Sequence, residues 1–203
     1  MEFHNWLLYL AASIGLSLSP GPNGLLALTH GALHGRRKAL FTISGGVLGF
    51  VVLIALSMFG IGALLQASIV WLTVLKWVGG AYLVWLGIQV WRSPPMQVQA
   101  IEGGNGRPGW SLFKDGLLSA VTNPKALLFF AAFLPQFIDP HRNLLVQFAV
   151  MAATFGTIEF FYELMVAHAA QRISGLLARI GRRFNQVCGG MFVAIGIALP
   201  LRS

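Results

Sequence analysis

The sequence predicts an all-α integral membrane protein of six transmembrane helices, an inverted 3+3 repeat whose first and fourth helices are broken by proline. Three observations predict it. Of the 203 residues, 56% are hydrophobic and 10% charged, and the mean hydropathy is +0.73, a composition far from that of an ordinary soluble domain. Apolar runs of the ~20 residues needed to cross ~30 Å of hydrocarbon recur six times. The basic residues between the runs alternate in number from one connection to the next.

The runs cover roughly 6–28, 39–65, 69–91, 112–136, 143–168 and 184–201. The first 35 residues hold no Lys or Arg and no A-x-A site closes the first run, so that run is expected to stay in the membrane as a helix rather than be cleaved. Arg36, Arg37 and Lys38 fall in the first connection, Arg92, Arg107 and Lys114 in the third, and Arg172, Arg179, Arg182 and Arg183 in the fifth; the opposite side receives only Arg142 and Arg202. Ten against two places the odd-numbered connections in the cytoplasm and both termini outside it. The net charge of +8 is therefore a topological signal toward the lipid bilayer, and no nucleic-acid partner is expected. The single cysteine, Cys188, allows no internal disulfide and no multi-cysteine metal site, and packs as a small apolar residue.

The organisation is two related halves, 1–92 and 111–203, joined by a Pro/Gly-rich cytoplasmic linker over 93–110, "SPPMQVQAIEGGNGRPG". Shifting the chain by 102 residues puts Pro22 on Pro124 and "LLAL" at 25–28 on "LLFF" at 127–130. The register fails for the third and sixth runs, where the fifth connection is longer. Three spans per half invert the second copy, and the charges follow, since Arg36, Arg37 and Lys38 fall opposite Ile138, Asp139 and Pro140. Inverted repeats of this kind belong to transporters.

Proline inside a helix removes a hydrogen bond and clashes with the preceding turn, which lipid does not tolerate unless protein or a water-filled cavity satisfies the freed groups. "SPGPN" interrupts the first span and "TNPKALLFF" the fourth. Each reads as a helix restart, with Ser19 or Asn123 as the N-cap and Pro20 or Pro124 at the first helical position. A restarted helix aims free N–H groups and the positive end of its dipole into the membrane, a seat for a carboxylate. Paired interrupted spans point to a substrate site formed by Ser19, Pro20, Gly21, Pro22, Asn23, Asn123, Pro124 and Lys125.

These residues also carry a resemblance. "SPGPNGLLALTHGALHGRRKALFTISGGVLGF", "LKWVGGAYLVWLGIQVWRS" and "NPKALLFFAAFLPQF" resemble, in order and spacing, the three signature stretches of the LysE/RhtB family of amino-acid exporters. The resemblance implies a bacterial inner-membrane protein that moves amino acids or close derivatives out of the cytoplasm, driven by protons, as a homodimer. It places the family's Pro-Gly-Pro-Asn on residues 20–23 and its Asn-Pro-Lys on residues 123–125. Asp115 departs from the family pattern, in which a basic residue often precedes the glycine matching Gly116.

Ionisable groups at membrane depth default to function. Lys125 lies eleven residues past Lys114, ~16 Å along a helix and near the midplane, suited to a substrate carboxylate or a glutamate. Glu159 and Glu163 share one helix face four residues apart, equipped to carry a coupling proton or hold a substrate ammonium. Lys76 is expected to snorkel, and His168 to cap the end of the fifth span. His30 and His34 have metal-ligand spacing without a third ligand, which keeps a metal or small-cation exporter as the alternative. Gly45 and Gly49, with Gly79, Gly80 and Gly87, permit close helix contacts. Trp6, Trp71, Trp77, Trp85 and Trp91 fall at interfaces or pack in the core. No Walker-type motif, G-x-S-x-G or H-E-x-x-H occurs, so neither an ATP-driven pump nor an enzyme is expected. No filter-like repeat suggests a channel, and no cofactor is implied.

Overall fold

The computed structural model describes residues 2–19, 21–65, 77–78, 81, 84–85, 87–92, 107–139 and 141–198. Every regular element among them is helical: α1 (Phe3–Leu18), α2 (Pro22–His34), α3 (Arg36–Leu65), α4 (Gly109–Val121), α5 (Pro124–Phe133), a 3₁₀ turn (Leu134–Phe137) and α6 (Leu144–Ala198). Residues 87–92 add helical turns of the third apolar run. Residues 69–76, 79–80, 82–83 and 86 of that run, among them Trp71, Lys76, Gly79 and Gly80, lie outside the described residues, as do 93–106 of the linker.

The breaks have a local cause. A residue that precedes proline is driven out of the helical region, and Ser19, Gly21 and Asn123 all do so. Their backbones are extended, at φ −69, ψ 135, at φ −156, ψ 170 and at φ −70, ψ 107. Helix α1 therefore stops at Leu18 and α2 begins at Pro22, while α4 and α5 are separated at Thr122 and Asn123. Between α2 and α3 the chain turns on Gly35, whose φ of 78 is the positive value found among the described residues and suits a residue without a Cβ.

Helix α6 is assigned without interruption over 55 residues, where two apolar runs separated by a connection are expected from the sequence. A straight helix would put Phe155 and Phe192 ~55 Å apart at 1.5 Å per residue. Yet Phe155 lies 5.0 Å from Phe130, and Phe192 lies 6.4 Å from Phe129, ring centre to ring centre. The helix therefore runs out and back as two limbs, with the backbone helical through the positions of Arg172 and Arg179. His168 consequently stands exposed within a continuing helix instead of capping its end.

Two close pairings set the rest. Tyr9 Oη donates to the Met151 carbonyl at 3.0 Å and Ser17 faces Glu159, so α1 and the first limb of α6 run in the same direction, advancing eight residues together. Helices α3 and α4 also run together at glycine contacts. A Cβ on Gly45 would collide with the Phe113 carbonyl, one on Gly116 with the Thr42 carbonyl, and one on Gly49 would lie 2.6 Å from Ala120 Cβ. Gly87 packs on the Gly189 carbonyl of the returning limb in the same way. Small residues let backbones approach where lipid offers no hydrophobic drive for association.

Around these pairings Phe50, Phe129, Phe130, Phe133, Phe155 and Phe192 form a buried aromatic core. Leu48, Val52 and Leu56 of α3 and Phe161 and Met165 of α6 are exposed, as are Trp77, Trp85 and Trp91, which are thus not core residues. Arg36–Gly60 and Leu144–Ala169 are each long and apolar enough to cross a membrane, and Gly109–Val121 with Lys125–Phe137 forms a pair bent by 50° that passes the same test together. An apolar surface on helices of that length is the expectation for a protein in lipid.

Candidate substrate site at the two helix breaks

The two breaks meet. Lys125, in the first turn of α5, reaches back to the C-terminus of α1, its Nζ donating to the Ser19 Oγ at 2.8 Å, the Ser19 carbonyl at 2.9 Å and the Leu16 carbonyl at 3.1 Å. An ammonium there faces the negative end of the α1 dipole and satisfies carbonyls that the broken helix leaves open. The chemistry expected of Lys125 is thus directed in this shape to the chain's own backbone.

The restarts differ from one another. At the second, Asn123 is the N-cap, its Oδ1 accepting from Lys125 N at 3.0 Å and Ala126 N at 3.4 Å, with Pro124 at the head of α5. At the first, the N-cap is Gly21 and Pro22 leads the helix, two residues later than the Ser19 and Pro20 expected from the sequence. Ser19 instead ends α1 and turns its hydroxyl back to the Leu16 carbonyl at 2.8 Å. Pro20 lies outside the described residues. With glycine as its cap, α2 has no side-chain acceptor at its N-terminus. Its first-turn N–H groups at Asn23 and Gly24 therefore receive no side-chain cap at the positive end of the helix, whereas that of α5 is capped by Asn123.

Ser19, Gly21, Asn23, Asn123, Lys125 and Glu159 line one cavity, closed on the apolar side by Phe50 and Phe155. Glu163 stands one turn further along α6, facing Asn23 and Glu159, and a Cβ on Gly46 of α3 would lie 2.5 Å from Asn23 Nδ2 and 3.5 Å from Glu163 Oε2. Glu159 and Glu163 are buried, and Glu159 Oε2, Glu163 Oε1, Asn23 Oδ1 and Ser17 Oγ are buried oxygens with no hydrogen-bond partner among the described residues. Unpaired acceptors at depth are costly and mark functional positions. Donors for an anion at α2 and acceptors for a cation on α6 and α2 thus face one another across a cavity of about 10 Å³, room for about one water molecule.

Sequence reading missed Ser17 and Ser13, both buried on α1; their signal was present as two hydroxyls four residues apart inside an apolar run. The other residues singled out lie elsewhere. His30 Nδ1 and Thr42 Oγ1 are 2.7 Å apart, and His34 lies beside His30 with ring centres 5.4 Å apart. Burial first, then the charges of Lys38 and Arg107, hold the His34 imidazole below its ordinary pKa. No group of three or more metal-ligating side chains occurs among the described residues. Asp115 pairs with Arg107 at 2.7 Å on a half-exposed face, an ion pair worth ~0–1 kcal/mol.

The LysE type translocator family model matches residues 14–203. A membrane protein of Vibrio cholerae serotype O1 is 36% identical over 203 residues, covering 98% of both chains. A homoserine/homoserine lactone efflux protein of Salmonella typhi is 35% identical over 204 residues, covering 98% of this chain and 97% of its own. A leucine efflux protein of Enterobacter sp. strain 638 is 30% identical over 199 residues, covering 96% and 94%. No solved structure matches the chain. The two named relatives are amino-acid efflux transporters rather than enzymes, and a metal exporter is not favoured beside them. The chain is a membrane transporter belonging to the LysE type translocator family.

Proposed function

We propose that this protein exports neutral amino acids, of the size of homoserine or leucine, from the cytoplasm across the bacterial inner membrane in exchange for protons. Its two halves act as an inverted 3+3 repeat of six spans, with both termini outside the cytoplasm and alternating access at the breaks. The observation that carries the reading is the N-terminus of α2, which has no side-chain cap, facing the Glu159 oxygen, unpaired among the described residues, across one cavity. A zwitterion needs both: N–H donors and dipole for its carboxylate, acceptors for its ammonium. The names of the homoserine and leucine efflux relatives supply the substrate class.

In the proposed cycle the amino acid enters from the cytoplasmic side, its carboxylate settles at Asn23 and Gly24, and its ammonium meets Glu159. Lys125 and Asn123 hold the second break against the first and set the width of the seat. Return of the site is coupled to protonation of Glu159, with Glu163 as its partner. The test is growth of an export-deficient bacterial strain producing the protein on plates that each carry one inhibitory amino acid or analogue, with metal salts alongside. Protection against homoserine or leucine analogues that Asn123→Leu abolishes, with the variant still inserted in the membrane, is the expected result. Protection against metal salts alone, or full protection by Asn123→Leu, would overturn it.

A further inference from the structure

Helix α1 carries three hydroxyls that the substrate site does not use in common. Tyr9, Ser13 and Ser17 fall at four-residue spacing on one helix face, and all three are buried, at 0%, 0% and 4% exposure. Serine contributes little to packing in a lipid-embedded helix, and a hydroxyl there ordinarily bonds back to the carbonyl four residues earlier. Ser13 Oγ and Ser17 Oγ do not; both are buried without a hydrogen-bond partner among the described residues. Ser13 faces the Tyr9 hydroxyl and Ser17 faces the Glu159 carboxyl, whose Oε2 is likewise buried and unpaired. The groups facing Glu159 are Ser17 of α1, Lys125 of α5 and Glu163 of its own helix.

We propose that Tyr9, Ser13 and Ser17 form a relay that carries the coupling proton along α1 from the end bearing the N-terminus to Glu159, meeting the cavity of the amino acid only at its last step. This rests on the proton-coupled reading above and adds the route. Tyr9 and Ser13, and Ser17 and Glu159, face each other directly; between Ser13 and Ser17 the helix advances ~6 Å, and two O–H···O bonds in line through one water span ~5.6 Å, so a single water bridges that step. The last step opens into the cavity that Ser17 and Glu159 both line, which holds about one water. Each hydroxyl takes a proton on its oxygen and releases the one it held, and rotation of each O–H back to its starting orientation restores the relay after each passage. The proton ends on the Glu159 carboxylate, which becomes the neutral acid and returns to carboxylate on passing the proton toward Glu163. The aromatic packing of Phe155 and Phe50 beside this line keeps bulk water from replacing the relay.

The experiment uses the full-length protein in liposomes and separates two rates: exchange of labelled for unlabelled homoserine, which moves no net proton, and homoserine-driven proton movement read by a trapped pH dye. Ser13 lies outside the cavity lining, so Ser13→Ala is expected to leave exchange within about twofold while slowing proton movement at least about tenfold. Tyr9→Phe, which removes one oxygen, is expected to do the same. Proton movement at the wild-type rate in both variants overturns the relay while leaving proton coupling intact. Loss of exchange together with proton movement also overturns it, since the hydroxyls would then serve the substrate or the fold. If the wild-type protein exchanges homoserine without moving protons, the coupled reading itself fails and takes the relay with it.

Discussion

Lys125 and Ser19 tie the two helix breaks together: 106 residues apart in sequence, they meet through two bonds, Nζ to Oγ at 2.8 Å and Nζ to the carbonyl at 2.9 Å. A cation from the head of one restarted helix thus closes the tail of the other broken one. Neither break can shift without the other, a mechanical requirement of any site that opens alternately to two sides.

Lys125→Met removes that tie and takes the ammonium donor from the Ser19 carbonyl and hydroxyl, while the Leu16 carbonyl keeps the Ser19 hydroxyl. Unsatisfied buried acceptors cost ~1–3 kcal/mol each, so the variant is expected to unfold at lower temperature in detergent by an amount equivalent to roughly 3 kcal/mol and to export no substrate. Unchanged melting would mean that the ammonium contributes nothing to holding the breaks.

Gly21→Ala isolates the position of the ammonium from its presence. Its backbone is extended, which alanine adopts freely, but the added Cβ would stand 2.8 Å from Lys125 Nζ. The flexible lysine yields, so stability is expected to fall by less than ~1 kcal/mol, while export is reduced because Nζ is displaced from Ser19. Thermal stability and transport, measured on the same preparation, should therefore separate in this variant and fall together in Lys125→Met.

The α3–α4 contact is expected to be intolerant at single methyl resolution. Gly116→Ala places a Cβ onto the Thr42 carbonyl and should cost ~1–3 kcal/mol or more, visible as loss of folded protein in the membrane fraction. Gly60→Ala on α3 is the control, since no atom of the described residues lies within 4 Å of its added Cβ; wild-type accumulation is expected.

Asn123→Ala removes the cap that receives Lys125 N and Ala126 N, at ~1 kcal/mol. Asn123→Asp keeps the accepting oxygen and adds a charge at the positive end of α5, where the dipole favours it. The alanine variant should melt earlier than wild type and the aspartate variant should not. Both are expected to export poorly, because the seat is shaped by this turn.

The breaks were legible in the sequence because proline acts on its immediate neighbours: Ser19, Gly21 and Asn123 are extended for a reason written one residue ahead of each. The N-cap of the first break was misplaced because "SPGP" offers two prolines, each able to lead a helix, and only the packing of Ser19 against Lys125 and Leu16 selects the second. The shift of 102 residues had already paired Pro22 with Pro124. The partners of Lys125 and the contact between Gly45 and Phe113 were not legible, since helical periodicity states which face is special and is silent about what meets it. The return of α6 on itself had no local marker either. Its second limb is fixed by Phe192 against Gly15 and Phe129, contacts more than sixty residues away along the chain.

The cavity between the breaks has room for about one water in this shape, too little for any amino acid. In the proposed cycle substrate is therefore captured only by the fraction of molecules that have parted α1 and α2 from α5 and α6, and the apparent dissociation constant is the intrinsic one divided by that fraction. Weak binding by such a protein would report the rarity of its open form rather than a poor seat. Selection for a tighter or looser exporter then has two independent handles, the chemistry at Asn23 and Glu159 and the ease with which the aromatic core around Phe130 and Phe155 lets go.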